Sequence, residues 1–407
     1  MKNMKDFELI EINRKNFLNK LISFKDKQLI KVISGVRRCG KSTLMQQFIK
    51  YLFTLGIKEE QIIFINFEDF ENRDLLNLDN FYNYVSSKII KDKKMYLFFD
   101  EIQQVKDFQK VVDSFYIKKN IDIYLTGSNS TLLSGELATL LTGRYVEIKM
   151  LPLSFKEFSS VMNEENIQKT YKEYVETSSF PYVFSLWDSK QNITEYLDGL
   201  FNSIVLKDIV KRKNISDIKM FLSVCEFIFD NIGLEVSSKK IADTMTSNGR
   251  KIDSRTIENY LTGLAESFVV HKVSRFNIKG KEYLKSLEKY YVCDIGLRKA
   301  LLGKKSMDVG HILENVVYLE LIRRGYNVYI GKINSLEVDF VAMNQNTTMY
   351  IQVAASVRDE STLQRELAPL TQIRDSYPKL ILTLDEDPDA DYNGILRTNV
   401  LEWLLNN

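Results

Sequence analysis

Gly35-Val36-Arg37-Arg38-Cys39-Gly40-Lys41-Ser42 combines two glycines, a lysine and a hydroxyl residue at the spacing G-x-x-x-x-G-K-S. Such a set suits phosphate chemistry. Glycines let a loop wrap an anion closely, and the backbone N–H groups of Arg37, Arg38, Cys39 and Gly40 become donors. Lys41 is placed to reach the β- and γ-phosphates, Ser42 to hold Mg²⁺, and Thr43 to extend the cradle. The chemistry requires a strand before the loop and a helix after it. Gln28–Ser34 reads as the strand and Ser42–Ile49 as the helix, whose N-terminus favours an anion.

A second cluster follows. Lys94–Phe99 is an apolar run that ends in Asp100-Glu101. A run apolar on both faces suits a strand inside a parallel sheet. At its carboxyl end Asp100 is placed for the Mg²⁺ shell and Glu101 for polarising an attacking water. Leu125-Thr126-Gly127-Ser128-Asn129-Ser130 ends another strand in polar residues, making Ser128 and Asn129 candidates beside the γ-phosphate. Ligands of open α/β sheets bind where such strand ends meet.

Composition sets the frame. The chain has 407 residues, 44% apolar and 27% charged, with a formal net charge of +2. This is the composition of a globular protein of two or three domains, without the global positive charge of a polycation. No apolar run approaches the ~18 residues that a membrane span needs. Met1–Glu8 carries charges where a signal peptide has an apolar core, so a cytoplasmic location and no membrane partner are expected. The three cysteines are scattered, and two histidines argue against a histidine-rich zinc site.

The positioning elements alternate between strand and helix across about 28–150, as in a parallel sheet covered by helices. Pro152 marks a break. The expected organisation is an ATPase core at 1–150, a helical lid or linker at 151–214, a winged-helix module at 215–292 and an α/β domain at 293–407. In the third part, Ser237 and Asp253 begin two short helices separated by a polar turn. Phe268–Val273 and Glu288–Val292 follow as strands. Lys272, Arg275, Lys279, Lys281 and Lys285 make this region basic, and Lys272, Arg275 and Lys279 are candidate DNA contacts. A protein-docking role for the same module is the alternative. The last part reads as a helix at His311–Arg324, with strands at Asn327–Ile330, Glu337–Met343, Met349–Ala355 and Leu380–Leu384.

Taken together, Gly35–Thr43, Leu97–Gln103, Leu125–Ser130, Leu141–Tyr145, Leu151–Phe155 and Glu337–Phe340 resemble a prokaryotic AAA-type P-loop ATPase family with a C-terminal DUF4143 domain. The resemblance spans nearly the whole chain. It implies an α/β P-loop NTPase core, a helical lid, a winged helix and a restriction-endonuclease-like (PD-(D/E)xK) end. Lys41, Ser42, Asp100 and Glu101 fall on the Walker positions, and Ser128 or Asn129 on sensor 1. Arg144 is the candidate arginine finger or charge sensor, with a surface ion pair as the alternative. In the nuclease-like part, Glu314 and Asp339 fit two metal positions. The third position is Gln352, and Ala354 stands where an amine is needed, so this centre is expected to be degenerate.

The function expected is an Mg²⁺-dependent ATP-hydrolysing switch or motor that couples nucleotide state to DNA or a protein, with a homo-oligomer as one arrangement. Two alternatives stand beside it: an ATP-regulated nuclease, and a DNA-binding regulator for which ATP is only a ligand.

Overall fold

The computed structural model describes residues 12–130, 143–303 and 308–406, without the side chains of 284–286. Met1–Glu8, Leu141, Thr142 and the side chain of Lys285, which figured in the sequence reading, lie outside the described residues. By internal contacts the chain divides into two compact units, Met1–Pro152 with Glu266–Phe268, and Leu153–Ala265 with Val269–Asn407.

The first unit is built on strands β1 (Ile30–Gly35), β2 (Ile62–Asn66), β3 (Met95–Asp100), β4 (Ile121–Gly127) and β5 (Tyr145–Met150). All neighbouring pairs are parallel, in the order β2-β3-β4-β1-β5. Every residue of β1, β3 and β4 is buried, as expected where helices cover both faces. Helices α1 (Lys15–Ser23), α2 (Lys41–Thr54), α3 (Leu78–Lys88) and α4 (Phe108–Tyr116) accompany the sheet. Phe67, Phe81 and Phe99 pack edge to face in the core, with centroids 5.0 Å (67–81) and 4.9 Å (81–99) apart. The strand order has a direct consequence for function. β4 lies between β1 and β3, so the carboxyl ends of these three strands, with the loop after β1 and the acids after β3, meet at one edge.

The second unit begins with helices α5 (Phe155–Met162), α6 (Ile167–Glu176) and α7 (Lys190–Ser203). Ser154 and Glu157 close α5 with a reciprocal capping box. A π segment, Ile204–Val210, continues α7 into Lys211–Lys213, and Asn214 ends it in a left-handed conformation. Helices α8 (Ile218–Asp230), α9 (Ser238–Ser247) and α10 (Ser254–Glu266) follow. The Ser237 side chain caps α9, as its position suggested.

An eight-stranded mixed sheet completes the unit: β6 (Val270–Asn277), β7 (Glu282–Val292), β8 (Asn327–Ile333), β9 (Leu336–Met343), β10 (Thr348–Ala354), β11 (Lys379–Thr383), β12 (Ala390–Asp391) and β13 (Ile395–Asn399). The order is β12-β13-β11-β10-β9-β8-β6-β7. The hairpin β6–β7 therefore belongs to the sheet of the C-terminal part, because β6 pairs in parallel with β8 from Arg275 to Asn277. The boundary expected at 292/293 does not separate two sheets. Helices α11 (Ile295–Leu302), α12 (Val309–Arg323), α13 (Glu360–Thr371) and α14 (Val400–Leu405) complete the described elements of this part.

Candidate active site

The loop after β1 takes the shape its residues allow. Gly35 has φ 154°, and a Cβ there would stand 2.1 Å from the Met150 carbonyl oxygen, so only glycine lets β1 run so close to the end of β5. Gly40, at φ 103°, turns the chain into α2. Arg38 (φ 66°) and Glu101 (φ 52°) are left-handed without being glycine, a conformation that costs energy and gathers at working sites. Buried Arg14 clamps the loop from outside. Its guanidinium donates to the carbonyls of Cys39 (3.1 Å) and Leu151 (2.8 Å). The Cys39 thiol points inward at the Met150 carbonyl, and burial pushes its pKa up, so it is a packing group.

Lys41 is 4% exposed. Its ammonium donates to Gly35 O (3.0 Å), Val36 O (3.2 Å) and Ser128 Oγ (3.0 Å). It lies 3.6 Å from Glu101 Oε1. The Ser128 hydroxyl donates onward to Glu101, at 2.6 Å to one oxygen and 2.9 Å to the other. Burial pushes the Glu101 carboxyl up, but Lys41, Ser128, Gln103 and Arg37 together outweigh burial and hold it below its ordinary value. It is therefore a carboxylate at neutral pH. Its backbone N–H donates to Thr126 Oγ1 (2.8 Å), which fixes the carboxylate's origin. Asp100 accepts hydrogen bonds from the hydroxyls of Thr126 and Ser42, and burial raises its pKa.

These contacts bring together Lys41, Ser42, Asp100, Glu101 and Ser128 from the ends of β1, β3 and β4. Arg37 sits at the rim, paired with Glu68 at 2.9 Å, and Thr43 is exposed on the first turn of α2. Asn129 is buried next to Ser128. A hydroxyl joined to a carboxylate at the end of a buried strand, next to a helix N-terminus, is a donor set that fits Mg²⁺ with a nucleotide phosphate. Sequence reasoning missed Arg14, Thr126 and Gln103 as site residues. Thr126 lay inside a quoted motif, whereas nothing local marks Arg14.

Arg144 is placed elsewhere. It immediately precedes β5, and its carbonyl accepts from Ile30 N–H at the amino end of β1. The P-loop leaves β1 at the other end, beside Met150. At ~3.3 Å per residue the two edges are roughly 16 Å apart. The guanidinium pairs with Asp113 and lies 5.5 Å from the Tyr116 ring centroid. A sensor role for Arg144 toward the phosphate loop of its own chain is thus corrected: parallel pairing carries it to the opposite edge.

Two of the three candidate DNA contacts are also engaged. Lys272 pairs with Glu288 at 2.7 Å and Arg275 with Glu235 at 3.1 Å, while Lys279 is exposed. Lys239 and Lys240 on α9, and Arg250, Lys251 and Arg255 around the start of α10, are exposed and form no ion pair with a described residue.

In the C-terminal sheet, Glu314, Asp339 and Gln352 lie close together. Asp339 N–H donates to Gln352 Oε1 (2.7 Å), and Gln352 donates its amide to Glu366 Oε2 (2.7 Å). Val353 N–H donates to Asp339 Oδ2 (2.8 Å). Burial, then the nearby Glu314, pushes Asp339 well above the usual carboxylate range. Among the described residues no group of three or more His, Cys, Asp or Glu is arranged to hold a metal. Lys289 also enters this cluster, from β7, a position no local motif marks.

A parallel sheet with a phosphate loop after β1 and an acid pair after β3 defines a P-loop protein of the AAA type. The family model "AAA domain" matches residues 27–159, and "Domain of unknown function (DUF8612)" matches 168–308, in place of the DUF4143 label. An uncharacterized protein of Haemophilus influenzae is 42% identical over 400 residues, covering 97% of this chain and 98% of that protein. An uncharacterized protein of Methanocaldococcus jannaschii is 34% identical over 360 residues, covering 83% of this chain and 77% of that one. The chain belongs to this family of AAA-type P-loop ATPases. Solved structures similar in part include the Walker-type ATPase of Pyrococcus abyssi, with TM-score 0.49, 15% identity, and 71% of this chain and 95% of that one covered. AMPPCP-bound DnaA from Aquifex aeolicus gives 0.34, 14%, and 64% and 90%. No helix among the described residues is long and apolar enough to cross a membrane.

Proposed function

We propose that this protein binds ATP with Mg²⁺, hydrolyses it, and uses the cycle as a switch acting on a partner, in the cytoplasm. The observation that carries the reading is the joined set of Lys41, Ser128 and Glu101, with Ser42 on Asp100 beside it. Ser42 and Asp100 would hold the metal, which supplies Lewis-acid neutralisation of phosphate charge when bound. Lys41 exchanges its carbonyl and hydroxyl partners for phosphate oxygens. Backbone N–H groups from Arg37 to Ser42 and the α2 N-terminus bind the remaining charge. Glu101, ionised and oriented by Ser128 and Gln103, accepts a proton from the attacking water. Arg144, unable to serve its own loop, is suited to a neighbouring subunit of a homo-oligomer, where a guanidinium stabilises the transferring phosphoryl group.

DNA is the partner we favour over a protein. Helices α8–α10 followed by the β6–β7 hairpin suit a winged helix, and the exposed cations on α9 and around the start of α10 suit phosphate contacts better than the engaged Lys272 and Arg275 do. The deciding experiment is ATP turnover measured with and without duplex DNA. Binding should weaken steeply with salt, and replacing Arg250, Lys251 and Arg255 by Ala should lower both affinity and salt dependence. Turnover without any DNA binding at low salt would assign the second unit to a protein partner. DNA binding without turnover would leave ATP as a ligand only.

A further inference from the structure

Lys289 gives the acidic cluster of the C-terminal sheet a cation of its own. It is 5% exposed, and its ammonium lies 3.1 Å from Glu314 Oε1 and 2.7 Å from Glu337 Oε1. Tyr291, on the same face of β7, donates its hydroxyl to the same Glu314 oxygen. The three carboxylates come from two elements, Glu314 from α12 and Glu337 and Asp339 from β9. Burial disfavours the charge on Lys289, but the adjoining Glu314, Asp339 and Glu337 hold it above the ordinary lysine range.

A nuclease-like centre of this architecture gathers acids in order to hold a divalent cation. Glu314 is buried and Glu337 and Asp339 are half-buried, and carboxylates gathered in such a place repel one another unless a positive charge stands among them. Here the neutral Gln352 stands in the third position and the following Ala354 has no amine, yet a positive charge is present, on a strand that precedes the whole set. An ammonium offers three donors in a compact head, enough for the Glu314 and Glu337 oxygens it meets.

We propose that Lys289 is the resident counter-cation of Glu314 and Glu337, standing where a divalent metal would otherwise balance the cluster, and so makes this sheet metal-independent. The role is structural. It predicts a latent metal site that appears only when the ammonium is removed.

The test uses the full chain without nucleotide and Mn²⁺ alone as the probe, with bound ion read by electron paramagnetic resonance and stability by thermal unfolding. Lys289→Ala should take up Mn²⁺ at least about tenfold more tightly than wild type, since affinity follows the net ligand charge of the site. Its unfolding temperature should rise with Mn²⁺ where that of wild type does not. Lys289→Ala/Glu314→Gln should lose the gain, which separates this site from the phosphate loop. Equal Mn²⁺ affinity in Lys289→Ala and wild type, or wild-type binding abolished by Asp339→Asn, would overturn the proposal. Should Lys289→Ala fail to fold without metal, folding on Mn²⁺ addition supports it and failure with Mn²⁺ counts against it. Lys289→Met/Glu314→Gln, which removes both charges, should fold without metal, and its failure to do so would also count against the counter-cation role.

Discussion

Lys41 and Glu101 stand 3.6 Å apart with opposite charge, and the hydroxyl of Ser128 is bonded to both. The cation that would meet the phosphates and the base that would meet the water are thus one connected unit. A phosphate drawing Lys41 away changes what Glu101 faces, through contacts made at the ends of three neighbouring strands.

Lys41→Ala should lose ATP affinity or turnover by at least roughly tenfold, because a charge-assisted contact in a buried loop is removed. Equilibrium binding of a fluorescent ATP analogue with Mg²⁺ checks this. Wild-type affinity and turnover together in the variant would remove the loop from the mechanism.

Glu101→Gln retains an acceptor for Ser128 but not the base. It should hold ATP and turn it over roughly 10²–10⁴-fold more slowly. A variant as fast as wild type would show that another group activates the water.

The same residue gives a pH signature. The folded Glu101 pKa lies below the ordinary 4.5. The native state therefore favours its ionised form, so its contribution to stability is fully present above pH 4.5 and is lost as pH falls through the folded value. The stability difference between wild type and Glu101→Gln should be constant above that point and shrink below it in a urea-unfolding series. A difference that grows on acidification would contradict the lowered pKa.

Arg144→Ala should change turnover without changing stability much. Its pair with Asp113 is partly exposed, and such pairs contribute up to about 1 kcal/mol. If Arg144 serves a neighbouring subunit, turnover per chain rises with protein concentration and the variant abolishes the rise. Turnover independent of concentration in a protein that stays monomeric would reduce Arg144 to its surface ion pair.

Plasmid DNA incubated with the purified chain and Mg²⁺ or Mn²⁺ should remain uncut, because Gln352 supplies no charge and Ala354 supplies no amine. Cleavage that disappears in Asp339→Ala would make the nuclease reading primary.

The phosphate loop and the acid pair were legible because each is a contiguous run. Gly35 to Ser42 carries its own geometry, and an apolar strand ending in Asp100-Glu101 announces where its carboxyl end lies. The C-terminal helix and strands were read to within a few residues for the same reason: their apolar periodicity is local. Strand order is not local. Only the placing of β4 between β1 and β3 joined Ser128 to Lys41 and Glu101, and only the parallel register of β5 on β1 sent Arg144 to the far edge. Likewise β6 pairing with β8 made one sheet of what read as two modules, and brought Lys289 to acids that lie later in the chain. Motif chemistry is encoded in neighbouring residues, whereas the partners of a buried charge are set by long-range pairing, which the tertiary fold decides.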